Sequence, residues 1–258
     1  MWMVHRLAGI SLLALACLPA FGQIRLDKLS LKTGERYEVR ASDILVIDTL
    51  IMGDSSRIAF QNDKNQNFIH CKVAIIGKGA VIQAEGKAGA RGENGRNGQN
   101  GNGPCSNGTN ATSGKAGQPG SHGSSISLYW DYVTITGRLW VLLTGGDAGD
   151  GGNGGWGGSG GSGTRVCAGG NGGNGGDGAA GGNGGNGGNF QLQYKQLTGD
   201  SRQIIVRNNG GSAGRGGDAG EAGDAGLGPK VDGKRGQRGK EGQDGNVGLP
   251  GIVSFVQK

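Results

Sequence analysis

Short stretches of alternating apolar and polar residues recur along the chain, each turning at a glycine into a second apolar stretch. The pairs are 45–53 into 57–60, 72–77 into 80–82, 132–137 into 139–143 and 196–199 into 203–206. A further short apolar stretch accompanies them at 68–72, 126–130, 190–194 and finally 252–257. β-Branched and aromatic residues dominate these pieces, which is the pattern of half-buried strands. The recurrence predicts rungs of a short β-solenoid or a layered β-sheet, with 24–44 supplying a cap or the first strands.

Between the later rungs the pattern changes to glycine at every third residue. The first insertion runs Gly86 to Gly101 and resumes at Gly114 to Gly123; the second runs Gly146 to Gly161 and Gly169 to Gly187; the third runs Gly211 to Gly226 and Gly233 to Gly251. Each insertion is therefore two triplet runs around a tip, and the three span 86–125, 145–189 and 210–251. A period of three matches a polyproline-II-type backbone, with three residues per turn and a rise of about 3.1 Å. Glycine at each third place leaves one face bare, so a neighbouring backbone can approach and bond there. Positions such as Gly92, Gly95, Gly172, Gly175, Gly184, Gly217, Gly220, Gly236 and Gly239 are expected at such contacts. The predicted organisation is a leader at 1–22, an N-terminal β region at 23–85, glycine-triplet hairpins within 86–251 alternating with β segments 126–144 and 190–209, and a C-terminal strand at 252–258.

Composition sharpens this reading. Gly (61) and Pro (5) make up about a quarter of the 258 residues, against a usual share near 12 %. Hydrophobic residues are only 34 % and aromatics 5 %, too little to give the whole length one conventional core. Collagen is the obvious comparison for 233–251, yet collagen carries Pro or hydroxyproline at about 15–20 % or more, whereas 86–251 holds only Pro104, Pro119, Pro229 and Pro250. Six short runs also suit packing within one chain.

The triplet runs resemble polyglycine-II bundles, the fold of the snow-flea antifreeze protein and of the glycine-rich domain in some phage tail-tip adhesins. That resemblance covers about 86–251 and implies short helices packed side by side and antiparallel in two facing layers; the β rungs between the hairpins depart from both relatives. The fold class expected is thus all-β: a β-solenoid or layered base with three inserted hairpins packing as a six-helix polyglycine-II bundle. In the second hairpin two of every three residues are often Gly, as in 169–176, which suits the crowded middle of the bundle.

The N-terminus has a basic start, an apolar stretch from Leu7 to Leu18 and a small-x-small site at Ala20-Phe21-Gly22, the form of an export signal. A second reading makes Cys17 a lipidation site, since Ala14-Leu15-Ala16-Cys17 approximates a lipobox. No later apolar run approaches the ~20 residues of a membrane span. Cleavage removes Arg6, so the net charge of +6 falls to +5. The charges are scattered without an aromatic-interleaved stripe, which argues against nucleic acid. Cys105 and Cys167 fall at the midpoints of the first two hairpins, and an exported setting favours a disulfide between them. Cys71, inside a strand, reads as a small buried hydrophobe.

No catalytic constellation stands out, and no metal or cofactor is expected. His70 and His122 are read as structural, as are Asn171, Asn174, Asn183, Asn186 and Asn189, which recur in triplet register. Trp156 is expected to pack between layers, and Ala213, Ala219, Ala222 and Ala225 against a neighbouring run. The tips leave the repeat, and loops on a rigid scaffold are where recognition concentrates; Asn107, Thr109, Arg165, Lys230 and Asp232 are the candidate contacts. The leader and the missing catalytic clusters lead to a non-enzymatic structural or adhesive protein, secreted or at the cell surface, with a cell-surface receptor, glycan or matrix component as partner; the resemblance to phage adhesins implies that its tips bind a surface receptor or glycan. A passive matrix or envelope scaffold and an ice-binding protein are the other function classes.

Overall fold

The computed structural model describes residues 23–40, 44–61 and 64–258; the expected leader and Cys17 lie outside them. The strands are β1 (Ile24–Leu31), β2 (Arg36–Val39), β3 (Ile44–Met52), β4 (Arg57–Phe60), β5 (Gln66–Ile76), β6 (Ala80–Gln83), β7 (Ser125–Ile135), β8 (Leu139–Leu142), β9 (Phe190–Thr198), β10 (Ile204–Arg207) and β11 (Val253–Gln257). A 3-10 turn, Ser201–Gln203, precedes β10.

Odd-numbered strands form one parallel sheet in the order β1-β3-β5-β7-β9-β11, and even-numbered strands a second, β10-β8-β6-β4-β2. Residues 24–44, read from sequence as a cap or first strands, supply β1, β2 and the start of β3. The core lies between the sheets, where Leu45, Ile47, Ile69, Ile126, Leu128, Trp130 and Phe190 are sealed from solvent. Burying each such side chain contributes about 1.5–3 kcal/mol. The turns from long to short sheet repeat as well: Gly34, Ser55 and Gly79 all sit at positive φ (73°, 56° and 70°).

The accompanying short stretches are not separate strands. Stretches 68–72 and 72–77 form one strand, β5, and the same holds for β7 and β9. Each changes phase partway: in β3 the buried positions are Leu45 and Ile47, then Leu50 and Met52, with two outward residues, Asp48 and Thr49, between. Strands β5 and β7 repeat the shift at Lys72-Val73 and Asp131-Tyr132. An alternation broken at one point reads from sequence as a strand boundary, although backbone pairing continues on both sides of it.

The glycine runs, numbered 1 to 6 (86–101, 108–123, 145–163, 169–188, 210–226 and 233–251), are joined by backbone hydrogen bonds. Runs 1, 3 and 5 lie parallel: Gly89 N–H donates to Asp147 O and Gly151 N–H to Arg215 O, each at 2.8 Å. Runs 2, 4 and 6 do likewise, through Gly114 N–H to Asp177 O (2.9 Å) and Gly172 N–H to Lys234 O (2.8 Å). Antiparallel bonds cross between the two rows, as from Gly152 to Lys115 (2.9 Å), Gly173 to Gly158 (2.7 Å) and Gly236 to Gly223 (3.1 Å). Runs 3 and 4 each bond to four neighbours, whereas runs 1 and 6 bond to two. That difference accounts for the paired glycines of the second hairpin, because a run enclosed on more sides needs more bare faces.

Sheets and runs share their register. A 59-residue offset places Gln66 opposite Ser125 in the long sheet and Ala80 opposite Leu139 in the short one, and the same offset links Asn94 to Asn153 between runs 1 and 3. The offset of 64 that sets Ile126 against Phe190 reappears between Asn107 and Asn171. The hairpins thus continue the strand order of the base without a slip.

Candidate functional site

The tips converge at one end of the chain's glycine-rich half. A disulfide joins Cys105 in the first tip to Cys167 in the second, with Cα atoms 6.1 Å apart. The second and third tips are tied by Gly163 N–H to Leu227 O (2.8 Å) and Gly169 N–H to Val231 O (3.0 Å). Within the third, the Asp232 carboxylate accepts the Gly228 N–H at 2.8 Å. Around these ties Arg165, Lys230 and Asp232 are exposed, and so are Val166, Leu227 and Val231, at 93 %, 73 % and 59 %. Isolated exposed aliphatics are ordinary, but three on adjoining loops beside charged groups form a small mixed patch.

Asn107 and Thr109 belong to the inter-run bonding. The Asn107 side-chain carbonyl accepts the Asn171 N–H at 2.7 Å, and the Thr109 hydroxyl accepts the Gln99 N–H at 2.7 Å. Asn171, Asn174, Asn183, Asn186 and Asn189 act in the same way, accepting N–H groups of Lys234, Gln237, Asn246, Leu249 and Ile252 at 2.8–2.9 Å. The physical reason is a donor left over. Parallel runs exchange one backbone bond per triplet, and the adjacent N–H is satisfied by an Asn or Asp oxygen. Asp147 plays this part for Ser212, accepting both its N–H (2.8 Å) and its hydroxyl (2.9 Å), and the two bonds hold its carboxyl below the usual range. His122 accepts the Asn186 N–H through Nδ1.

Trp156 departs from expectation: it is 64 % exposed. Its backbone N–H is anchored by the Asn97 side chain at 2.8 Å, while its side chain stands on the solvent side of its row. The alanine strip lies between runs 5 and 6, with Ala219 buried. The arms of hairpin three carry complementary charge, with Arg238 bridging Glu221 (2.9 Å) and Glu241 (2.7 Å). Exposed pairs of this kind contribute little individually.

Cys71 is buried, and burial pushes its thiol up to about 11. Among the described residues no group of His, Cys, Asp or Glu is placed to hold a metal ion, and no helix is long and apolar enough to cross a membrane. A disulfide is compatible with an extracellular setting. What sequence reading missed lies on the base: a cavity of about 470 Å³ on the outer face of the long sheet, beside His70 and Tyr129.

No family model and no curated protein matches the chain. Among solved structures it is similar to a springtail antifreeze protein from Granisotoma rainieri, described as a nine polyproline type II helical bundle, at 28 % identity over 62 % of this chain and 96 % of that one. The TM-score is 0.13, so the likeness carries no argument.

Proposed function

We propose that this is an exported, non-enzymatic adhesive or structural protein: a β-solenoid base from which six polyglycine-II helices project as one bundle and hold the three tips toward a surface receptor or glycan. The observation that carries this reading is the joining of the tips. A covalent bond and two backbone hydrogen bonds fix loops from three separate insertions into one end, where the side chains of Arg165, Val166, Leu227, Lys230 and Val231 stand exposed. Recognition loops gain affinity from such preorganisation, because less freedom is lost on binding. Runs of about 16–20 residues at a rise of about 3.1 Å carry that end roughly 50–60 Å from the base.

The test is to replace 227–232 with a neutral Gly-Ser loop and measure binding of the folded protein to intact cells and a broad glycan panel. Loss of binding with unchanged folding is the expected result. A folded protein that binds nothing in either form points instead to a passive matrix or envelope scaffold. Thermal hysteresis in the purified protein would point to ice.

A further inference from the structure

The outer face of the long sheet, which the tip reading leaves without a role, carries a second constellation. Strand register aligns Arg25, Val46, His70, Tyr129 and Gln193 in one row across β1, β3, β5, β7 and β9. The charged residues two places on, Asp48, Lys72, Asp131 and Lys195, form the row beside it, with Asp27 of β1 ahead of them outside the cavity lining and Lys258 after β11 at its end. Both rows line the cavity of about 470 Å³. Neighbouring strands are about 4.7–4.9 Å apart, so six of them extend the face to about 24 Å. That is a length suited to a polymer lying across the strands.

We infer that this face binds an acidic oligosaccharide, a chain of uronic acid units. Charge carries the first part of the argument. The cavity holds four cationic side chains against two carboxylates. Asp48 is engaged by Lys72 and Asp131 by Lys195, each at 3.0 Å. Among the described residues neither Arg25 nor Lys258 forms an ion pair, which leaves the Arg25 guanidinium on β1 and the Lys258 ammonium near Tyr129 for carboxylate groups. The Lys258 ammonium sits 5.8 Å from the Tyr129 ring centroid, within reach of the cavity.

Neutral groups carry the second part. His70 stacks on Tyr129 with centroids 4.6 Å apart and planes 16° from parallel. Burial, and then Lys258, lower the His70 pKa, so at neutral pH it offers one donor and one acceptor. An adjoining depression on the same face is lined by uncharged amides and hydroxyls, including Gln66, Ser125, Ser127, Gln191 and Ser254. Amides and hydroxyls beside an aromatic pair suit a polyhydroxylated ligand. A nucleic acid site would need a larger surplus of cations than the two left here once each aspartate has its lysine. A structural charge ladder accounts for the two ion pairs but leaves Arg25, Lys258 and the concavity unexplained.

The test titrates the purified protein with defined oligogalacturonates by calorimetry, alongside the same oligosaccharides with their carboxyls reduced to alcohols. Arg25→Gln with Lys258→Gln, both exposed sites, is expected to weaken oligogalacturonate binding at least tenfold; the reduced ligands bind the parent protein at least tenfold more weakly; and replacing tip 227–232 changes neither. In the unaltered protein the His70 ring resonances shift on titration, a readout independent of how the variant folds. No binding at millimolar ligand, equal binding of the reduced sugars, an unaffected double variant, still His70 resonances, or tighter binding of duplex DNA each overturns the assignment. Binding lost only with the tip would support the tip reading and refute this one.

Discussion

Gly182 offers a direct test of the inter-run packing. It is buried in run 4 and donates its N–H to Gly149 O at 2.9 Å. A Cβ placed there falls on the carbonyl oxygen of Gln118, lies 2.6 Å from that residue's carbonyl carbon and comes within 3.0 Å of the Pro119 nitrogen. Those atoms cannot move freely, since Gln118 O already accepts the Gly149 N–H at 2.9 Å and Gln118 N–H donates to Ala90 O at 2.9 Å. Overpacking costs roughly 1–3 kcal/mol, and weakening two inter-run hydrogen bonds costs about 1 kcal/mol each. Gly182 does not have a positive φ, so alanine is sterically at ease within its own residue and recovers about 0.4–1 kcal/mol by restricting the unfolded chain. The net expectation for Gly182→Ala is a loss of about 2–4 kcal/mol, and more for Gly182→Val. Ala180→Val is the control, because Ala180 is exposed two residues away; its effect should stay within about 0.5 kcal/mol. Urea unfolding followed by circular dichroism, read as a midpoint shift at constant slope, measures both. A loss below about 1 kcal/mol for Gly182→Ala, or equal losses at 180 and 182, would refute the reasoning.

Further outcomes follow from the same contacts. Replacing Cys105 and Cys167 with serine opens a closure spanning 62 residues and should cost about 2–4 kcal/mol, visible as a lower urea midpoint that reductant no longer changes. Cys71, buried and with its thiol raised to about 11, should resist a thiol reagent at pH 8 in the folded protein and react once it is unfolded. Ser55→Gly relieves a positive φ of 56° and should stabilise the base by about 0.5–1 kcal/mol in the same unfolding assay. Asp147 has a folded pKa below its ordinary 3.8, so its contribution is present above pH 3.8 and is lost as pH falls through the folded value. His70, also lowered, from 6.5, is harder to protonate folded than unfolded, so stability declines as pH falls below 6.5. A pH series of urea midpoints should show both losses on the acid side, with Asp147→Ala removing the first and His70→Gln the second.

The strands were legible because alternation and β-branched residues mark each of them, and the paired glycines of 169–176 announced the enclosed middle hairpin. The bends were not, because Asp48-Thr49 and its equivalents break the alternation as a strand end does. Asn107 and Thr109 stood beside the first tip in sequence, and nothing local showed that their side chains serve neighbouring runs, since Asn107 meets its partner 64 residues away. The groove was hidden for the same reason, His70 and Tyr129 being brought together only by strand register. One signal for it was present. A charged residue recurs two places after the same row position for all six strands of the long sheet, at Asp27, Asp48, Lys72, Asp131, Lys195 and Lys258, and such phase-locked charge marks a shared edge once the strands are stacked. Exposure of Trp156 was beyond reach, because a triplet pattern identifies which position is bare without saying which way the other two face.

Residue-resolved amide hydrogen exchange tests the proposed bundle most directly. In run 6 the N–H groups of Gly236, Gly239 and Gly242 donate to run 5, those of Gln237 and Lys240 donate to side-chain oxygens of Asn174 and Asp177, and those of Arg238 and Glu241 have no partner among the described residues. The account predicts protection with a period of three along 233–251, strongest at glycine and absent at 238 and 241. Uniformly fast exchange through those residues would contradict it.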